Sequence, residues 1–100
     1  LFLSEGYIGM VHLFRGRYDE ALSWIARALA QRPNFAVVLR AAAVANAFAG
    51  NIDEARKIVA RIIQISPTAS ISHYMSINIY QRPEDIERMV GGLRLAGLPE

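Results

Sequence analysis

Two histidines, His12 and His73, and three acidic pairs, Asp19-Glu20, Asp53-Glu54 and Glu84-Asp85, are the residues of this chain that could ligate a metal or move a proton. Either chemistry needs several donors converging at short range, which a sequence announces as closely spaced His, Cys, Asp or Glu. That spacing is missing. The histidines stand far apart at helix positions suited to packing against a partner helix, and they read as core residues. The first two acidic pairs recur at an interval of 34 residues and the third follows after 31, and all three suit first helical turns, where carboxylates meet the positive end of the helix dipole. Ser66, Ser70, Ser72 and Ser76 lack a nucleophile elbow and an adjacent base, and read as caps and helix-surface residues. Gly91-Gly92 follows no strand and precedes no lysine, so it has no phosphate-loop context. Cysteine is absent, which removes disulfides, thiolate metal sites and thiol catalysis. No enzymatic activity, metal or cofactor is expected within these residues.

What must position such residues is a repeat. Gly16, Tyr18, Asp19, Glu20 and Ala21 recur as Gly50, Ile52, Asp53, Glu54 and Ala55, a period of 34 residues, and Pro33 recurs as Pro67. The register persists without insertion, since Ile86, Met89, Leu93 and Ala96 follow Ile52, Ala55, Val59 and Ile62 at the same period. A fixed period of this size marks stacked supersecondary units, each too small to bury its own apolar face. The continuous surfaces they build commonly bind other proteins.

Hydrophobic spacing resolves each unit into two helices. The first runs over about residues 3–15, with Leu3, Tyr7, Met10, Val11 and Phe14 on one side and Ile8 and Leu13 on another, so it should pack on two faces. After a turn at Gly16-Arg17 a second helix covers about residues 18–31, burying Ala21, Ile25, Ala28 and Leu29, and Pro33 stops it. The second unit predicts helices over about 35–48 and 53–65 around a turn at Gly50-Asn51. Its run of Ala41, Ala42, Ala43, Val44 and Ala45 lets neighbouring axes approach closely. The third predicts helices over about 69–80 and 84–96, with Glu84 in place of the turn glycine and Pro83 as helix starter. Gly91 and Gly92 fall inside the last helix at about 1 kcal/mol each relative to alanine, so that helix should fray or be held by a neighbour.

Composition fits one all-α domain. The chain has 100 residues, 53% of them apolar, and eleven basic against nine acidic side chains give a net charge of +2. The charges are scattered, so no nucleic acid partner is indicated. The most apolar stretch, residues 35–50, is broken by Arg40 and Asn46 and falls short of the ~20 apolar residues of a membrane helix. No membrane span is expected, and the reading adopted is cytoplasmic. The chain opens at Leu1 without an initiator Met or an apolar leader, as an excised part of a longer protein would.

Repeat length, paired helices and residue pattern together resemble the tetratricopeptide repeat family. Ile8, Gly9, Gly16, Tyr18, Ala21, Ile25, Ala28 and Pro33 carry its signature in the first unit; the second substitutes Ala43 for Gly9 and places Asn46 where the family prefers an aromatic. The third unit is degenerate, with His73 at a usually bulky position and Ile77 where Gly9 stood. The resemblance implies a right-handed superhelix of about three helix pairs, in one domain with repeats at about 2–35, 36–69 and 70–100. It also implies a concave groove lined by the first helix of each pair. Its ligand-facing positions map to Leu3, Gly6, Met10, Leu13 and Phe14, then Val37, Arg40, Val44, Ala47 and Phe48, then Ile71, Tyr74, Asn78, Gln81 and Arg82. Met10, Phe14, Val44 and Phe48 should form one strip. Family members that clamp acidic chaperone tails use Lys, Asn and Arg on this face; Gly6, Met10, Ala41, Ile71 and Met75 stand there instead, so that ligand is disfavoured. Arg40 and Arg82, expected in solvent, could each add about 0.2–1 kcal/mol by pairing with an acidic ligand.

The end of the chain, Arg82-Pro83-Glu84-Asp85-Ile86-Glu87-Arg88 and Gly92 to Glu100, is similar to the C-terminal tail of bacterial proteins that join a class III nucleotide cyclase, or another regulatory domain, to such repeats. That similarity implies a regulatory arm whose catalytic domain lies upstream. The function expected is therefore protein binding: a protein or peptide partner, such as an amphipathic helix or another part of the same protein. The alternative is a homodimerisation module with no external ligand.

Overall fold

The computed structural model describes residues 2–78 and 81–100, with side chains from Ser4 onward. All regular structure among them is helical: α1 (Phe2–Phe14), α2 (Tyr18–Gln31), α3 (Ala36–Phe48), α4 (Ile52–Ile65), α5 (Ile71–Ile77) and α6 (Pro83–Leu95). The chain has the all-α, repeat-type architecture that its period implies.

Three of these helices end in the same way. At Gly16, Gly50 and Gly97 the backbone turns to φ of 75°, 89° and 94°, and the next amide reaches back to close the helix: Arg17 to His12 O at 2.9 Å, Asn51 to Asn46 O at 2.8 Å and Leu98 to Leu93 O at 3.0 Å. Glycine takes this left-handed conformation without the steric penalty that a β-carbon brings. Gly97 ends the second helix of its unit, whereas Gly16 and Gly50 end first helices.

α1 and α2 form a tight antiparallel pair, and α3 and α4 form another. α3 is the centre of the molecule, and every residue from Ala41 to Ala47 is buried. Asn46 is the polar one among them; its side-chain amide donates to Ala42 O at 2.9 Å and its side-chain oxygen accepts from Asn51. Those bonds remove the cost of leaving a buried amide unpaired. At the end of α3 the Phe48 ring stacks on Tyr18, with centroids 5.3 Å apart.

The third unit departs from the expected length. α5 begins at Ile71 and stops after 7 residues at Ile77; of the expected remainder, Ile79 and Tyr80 lie outside the described residues. The physical reason is local competition for the backbone. The Asn78 side chain donates to Tyr74 O at 2.8 Å and Ser76 Oγ donates to His73 O at 2.7 Å, alternatives to helix continuation that short polar residues offer. The start of α5 is strongly capped. Ser70 Oγ accepts from the His73 amide at 3.0 Å, while Pro99 O takes the Ile71 amide at 2.7 Å and Glu100 O takes the Ser72 amide at 2.9 Å. The chain's last residues thus satisfy amides that a helix start leaves unpaired.

α6 then packs chiefly on α3 and only lightly on α5. It buries Met89, Val90, Gly92 and Leu93, followed by Ala96 and Leu98. Arg88 reaches further, donating from Nη1 to Leu13 O at the end of α1 at 3.0 Å. A cation there also faces the negative end of the α1 dipole. The expected weakness at Gly91-Gly92 is met by the neighbour α3: Val44 lies against Gly92, and the Phe48 ring lies beside Gly91.

Candidate interaction groove

The residues expected to face a ligand come mostly from α1 and α3, two helices held side by side because Gly6 leaves room for Val38. A β-carbon on Gly6 would stand 3.0 Å from Val38 Cγ2. From α1, Leu13 is fully buried, Gly6 is buried, and Met10 and Phe14 are half-buried against the core. The side chain of Leu3 lies outside the described residues. From α3, Val37 remains exposed at 39%, Arg40 and Phe48 are half-buried, and Val44 and Ala47 are buried at 0% and 5%. From α5, Ile71 and Tyr74 are buried, and Asn78, just past its end, is half-buried.

Much of the strip along α3 is therefore already occupied. α6 covers Val44 and reaches Phe48, lying along the inner face of α3 as a bound helix would. What stays open is an apolar recess bounded by Gly6, Tyr7, Met10, Phe35, Val37 and Val38. Periodicity marks the faces that face inward; it does not reveal that the chain's own end occupies one of them. The sequence signal for that occupant is Gly91-Gly92, since glycine inside a helix often marks a close backbone approach.

A second recess opens between α3, the end of α4 and α5, with Leu39, Arg40, Ile62, Tyr74, Ile77 and Leu98 among its walls. Arg40 is not the solvated cation expected from sequence. Its guanidinium lies over the Tyr74 ring, 5.5 Å from the centroid, a favourable cation–π geometry. Burial lowers the pKa of Arg40, with Tyr74 acting in the opposite sense. Burial likewise raises that of the Tyr74 phenol, which donates to Gln81 Oε1 at 3.1 Å. Arg82 is exposed and pairs with Glu84 on its own chain. Neither arginine stands free for an acidic ligand.

His12 lies near the end of α1, its Nδ1 buried without a hydrogen bond and 3.4 Å from Glu20 Oε2. His73 is exposed. Among the described residues no group of three or more His, Asp or Glu is placed to hold a metal. The acidic pairs occupy the first turns of α2, α4 and α6. No helix among the described residues is long and apolar enough to cross a membrane.

Comparison with known proteins agrees with this geometry. The family profile described as Tetratricopeptide repeat matches residues 13–73. No curated protein sequence matches the chain. With paired helices in register, small residues at the helix contacts and a profile match over more than half its length, the chain belongs to the tetratricopeptide repeat family, whose repeats generally mediate protein–protein interaction and are typically not catalytic.

Proposed function

We propose that this chain is a protein-interaction module serving as the cytoplasmic regulatory arm of a larger bacterial signalling protein such as a nucleotide cyclase. Its partner in this reading is an amphipathic helix from another part of that protein. The observation that carries the proposal is the use already made of the inner face: α3 accepts α6 over Val44 and Phe48, while an apolar recess at Gly6, Met10 and Val37 stays open beside the start of the same helix. A helix docks on such a surface by placing apolar side chains spaced one turn apart into the recess, with polar residues at the rim. Met10 suits this role because an unbranched thioether adapts to the shape of its guest. The similarity of the tail to that of cyclase-linked repeats supports the placement in a signalling protein.

The test is a titration of the separately produced catalytic domain with this chain, read by both binding and enzymatic rate. Wild type should bind and change the rate, and Met10→Asp should weaken binding by about tenfold or more, as central interface residues do. Binding that ignores Met10→Asp would remove the recess from the proposal. Sedimentation of the chain alone as a tight dimer would favour self-association instead.

A further inference from the structure

Arg40 borders the recess between α3, the end of α4 and α5 with one part of its side chain committed and another not. Its guanidinium lies over the Tyr74 ring, 5.5 Å from the centroid, and among the described residues no carboxylate and no hydrogen-bond acceptor engages it. Stacking on an aromatic ring occupies the face of a guanidinium, whereas its N–H donors point outward around the edge. Burial disfavours the Arg40 charge, and an anion beside that edge would offset the cost. Leu39, Ile62, Ile77 and Leu98 supply the apolar wall of the recess, a cavity of about 100 Å³, and Ser66 and His73, both exposed, add polar groups at its border.

We propose that this recess binds a small free carboxylic acid with an apolar body of about four to six carbons, its carboxylate on the edge of Arg40 and its chain against Leu39, Ile62, Ile77 and Leu98. Size sets the length of the body. An apolar cavity of ~150 Å³ takes benzene, so one of about 100 Å³ takes a body of that size or less, with the carboxylate outside it. Charge sets the head group, because a carboxylate accepts two parallel N–H donors from one guanidinium. Arg40 is held by Tyr74 and does not reach into solvent. Only a ligand that enters the recess therefore meets its edge, which selects a small amphiphile over an acidic protein surface. The site bridges the second unit to α5 and the tail. It lies apart from the recess at Gly6 and Met10, so it stands or falls separately from the partner helix.

Sodium hexanoate is the probe, titrated at neutral pH into the 100-residue chain and followed by amide and methyl chemical shifts. Saturation with a dissociation constant of about 1 mM or below is expected for a ligand of this size, with the shifts centred on Leu39, Ile62, Ile77 and Leu98. Acetate has the charge and almost no body, and should bind about thirtyfold more weakly or worse. Hexanol has the body and no charge, and should bind about tenfold more weakly. Arg40→Met keeps an unbranched stem against Tyr74 and should lower hexanoate affinity by about tenfold or more, leaving that of hexanol unchanged. Ala69→Leu adds bulk to the lining and should abolish binding of both; it decides in place of Arg40→Met if that variant does not fold. Four results would each overturn the inference: no saturation by hexanoate, acetate or hexanol binding as tightly as hexanoate, shifts centred on the recess at Gly6 and Met10, or hexanoate affinity unchanged in the deciding variant.

Discussion

A β-carbon placed on Gly92 would lie 2.5 Å from Val44 Cγ1 and 3.0 Å from Val44 Cα, so α6 and α3 meet backbone to backbone at this point. Gly92→Ala should therefore destabilise the chain by about 1–2 kcal/mol, the strain of overpacking exceeding the gain in helix propensity. Its neighbour should behave oppositely. A β-carbon on Gly91 would meet Phe48 Cζ at 3.6 Å, an ordinary contact, so Gly91→Ala should stabilise by about 0.5–1 kcal/mol. Urea denaturation of the two variants checks the opposite signs, and equal shifts would contradict the close approach.

Arg88 should matter through one bond. Its half-buried side chain donates to Leu13 O, and hydrogen bonds to a charged group are worth about 1.5–3 kcal/mol. Arg88→Met keeps much of the stem and removes the donor; a loss of roughly 1–2 kcal/mol with unchanged helix content is expected from the same range. Chemical denaturation with circular dichroism measures both.

Phe48→Ala separates packing from recognition. The ring stacks on Tyr18 and adjoins Gly91, so its removal should cost on the order of 2–3 kcal/mol of stability, below the 3–5 of a fully buried aromatic. Thermal melting decides, and an unchanged midpoint would mean that the stack contributes nothing.

The tail should respond to acid. Hydrogen bonds from the Arg94 guanidinium, with its charge, hold the Glu100 carboxyl below its ordinary value. A carboxyl depressed in the folded state contributes stability that is present above its unfolded pKa and lost as pH falls through the folded one. Protection of the Ile71 and Ser72 amides should thus hold at neutral pH and decline once the pH drops below the ordinary carboxylate range. Glu100→Gln should flatten that response. Amide exchange across a pH series is the measurement, and an identical slope in the variant would count against the ion pair.

The first four helices are legible in the sequence because their ends are written in residue types with few alternatives: Gly16 and Gly50 supply the left-handed turns, Asp19-Glu20 and Asp53-Glu54 open the following helices, and Pro33 and Pro67 follow their ends. The buried face of α6 is legible too, since Met89, Leu93 and Ala96 are as buried as Ala55, Val59 and Ile62. What they are buried against is not. Periodicity records that a face leaves water and carries no information about the surface that receives it, so Val44 reads as groove lining until α6 is seen upon it. The length of α5 escapes for another reason: the bond from the Asn78 side chain to Tyr74 O is a choice between two nearly equal local structures, which propensity alone does not decide.

Arg88 and Leu13 lie 75 positions apart in the chain, whereas the α1–α2 and α3–α4 pairs close over short loops. Contacts distant in sequence carry a larger loop-closure cost and form late. During synthesis the two helix pairs can assemble while α6 is still inside or not yet made, at roughly 5–20 residues per second. For that interval Val44 and its neighbours face water, and the nascent chain offers to other molecules an apolar surface that the finished one has covered.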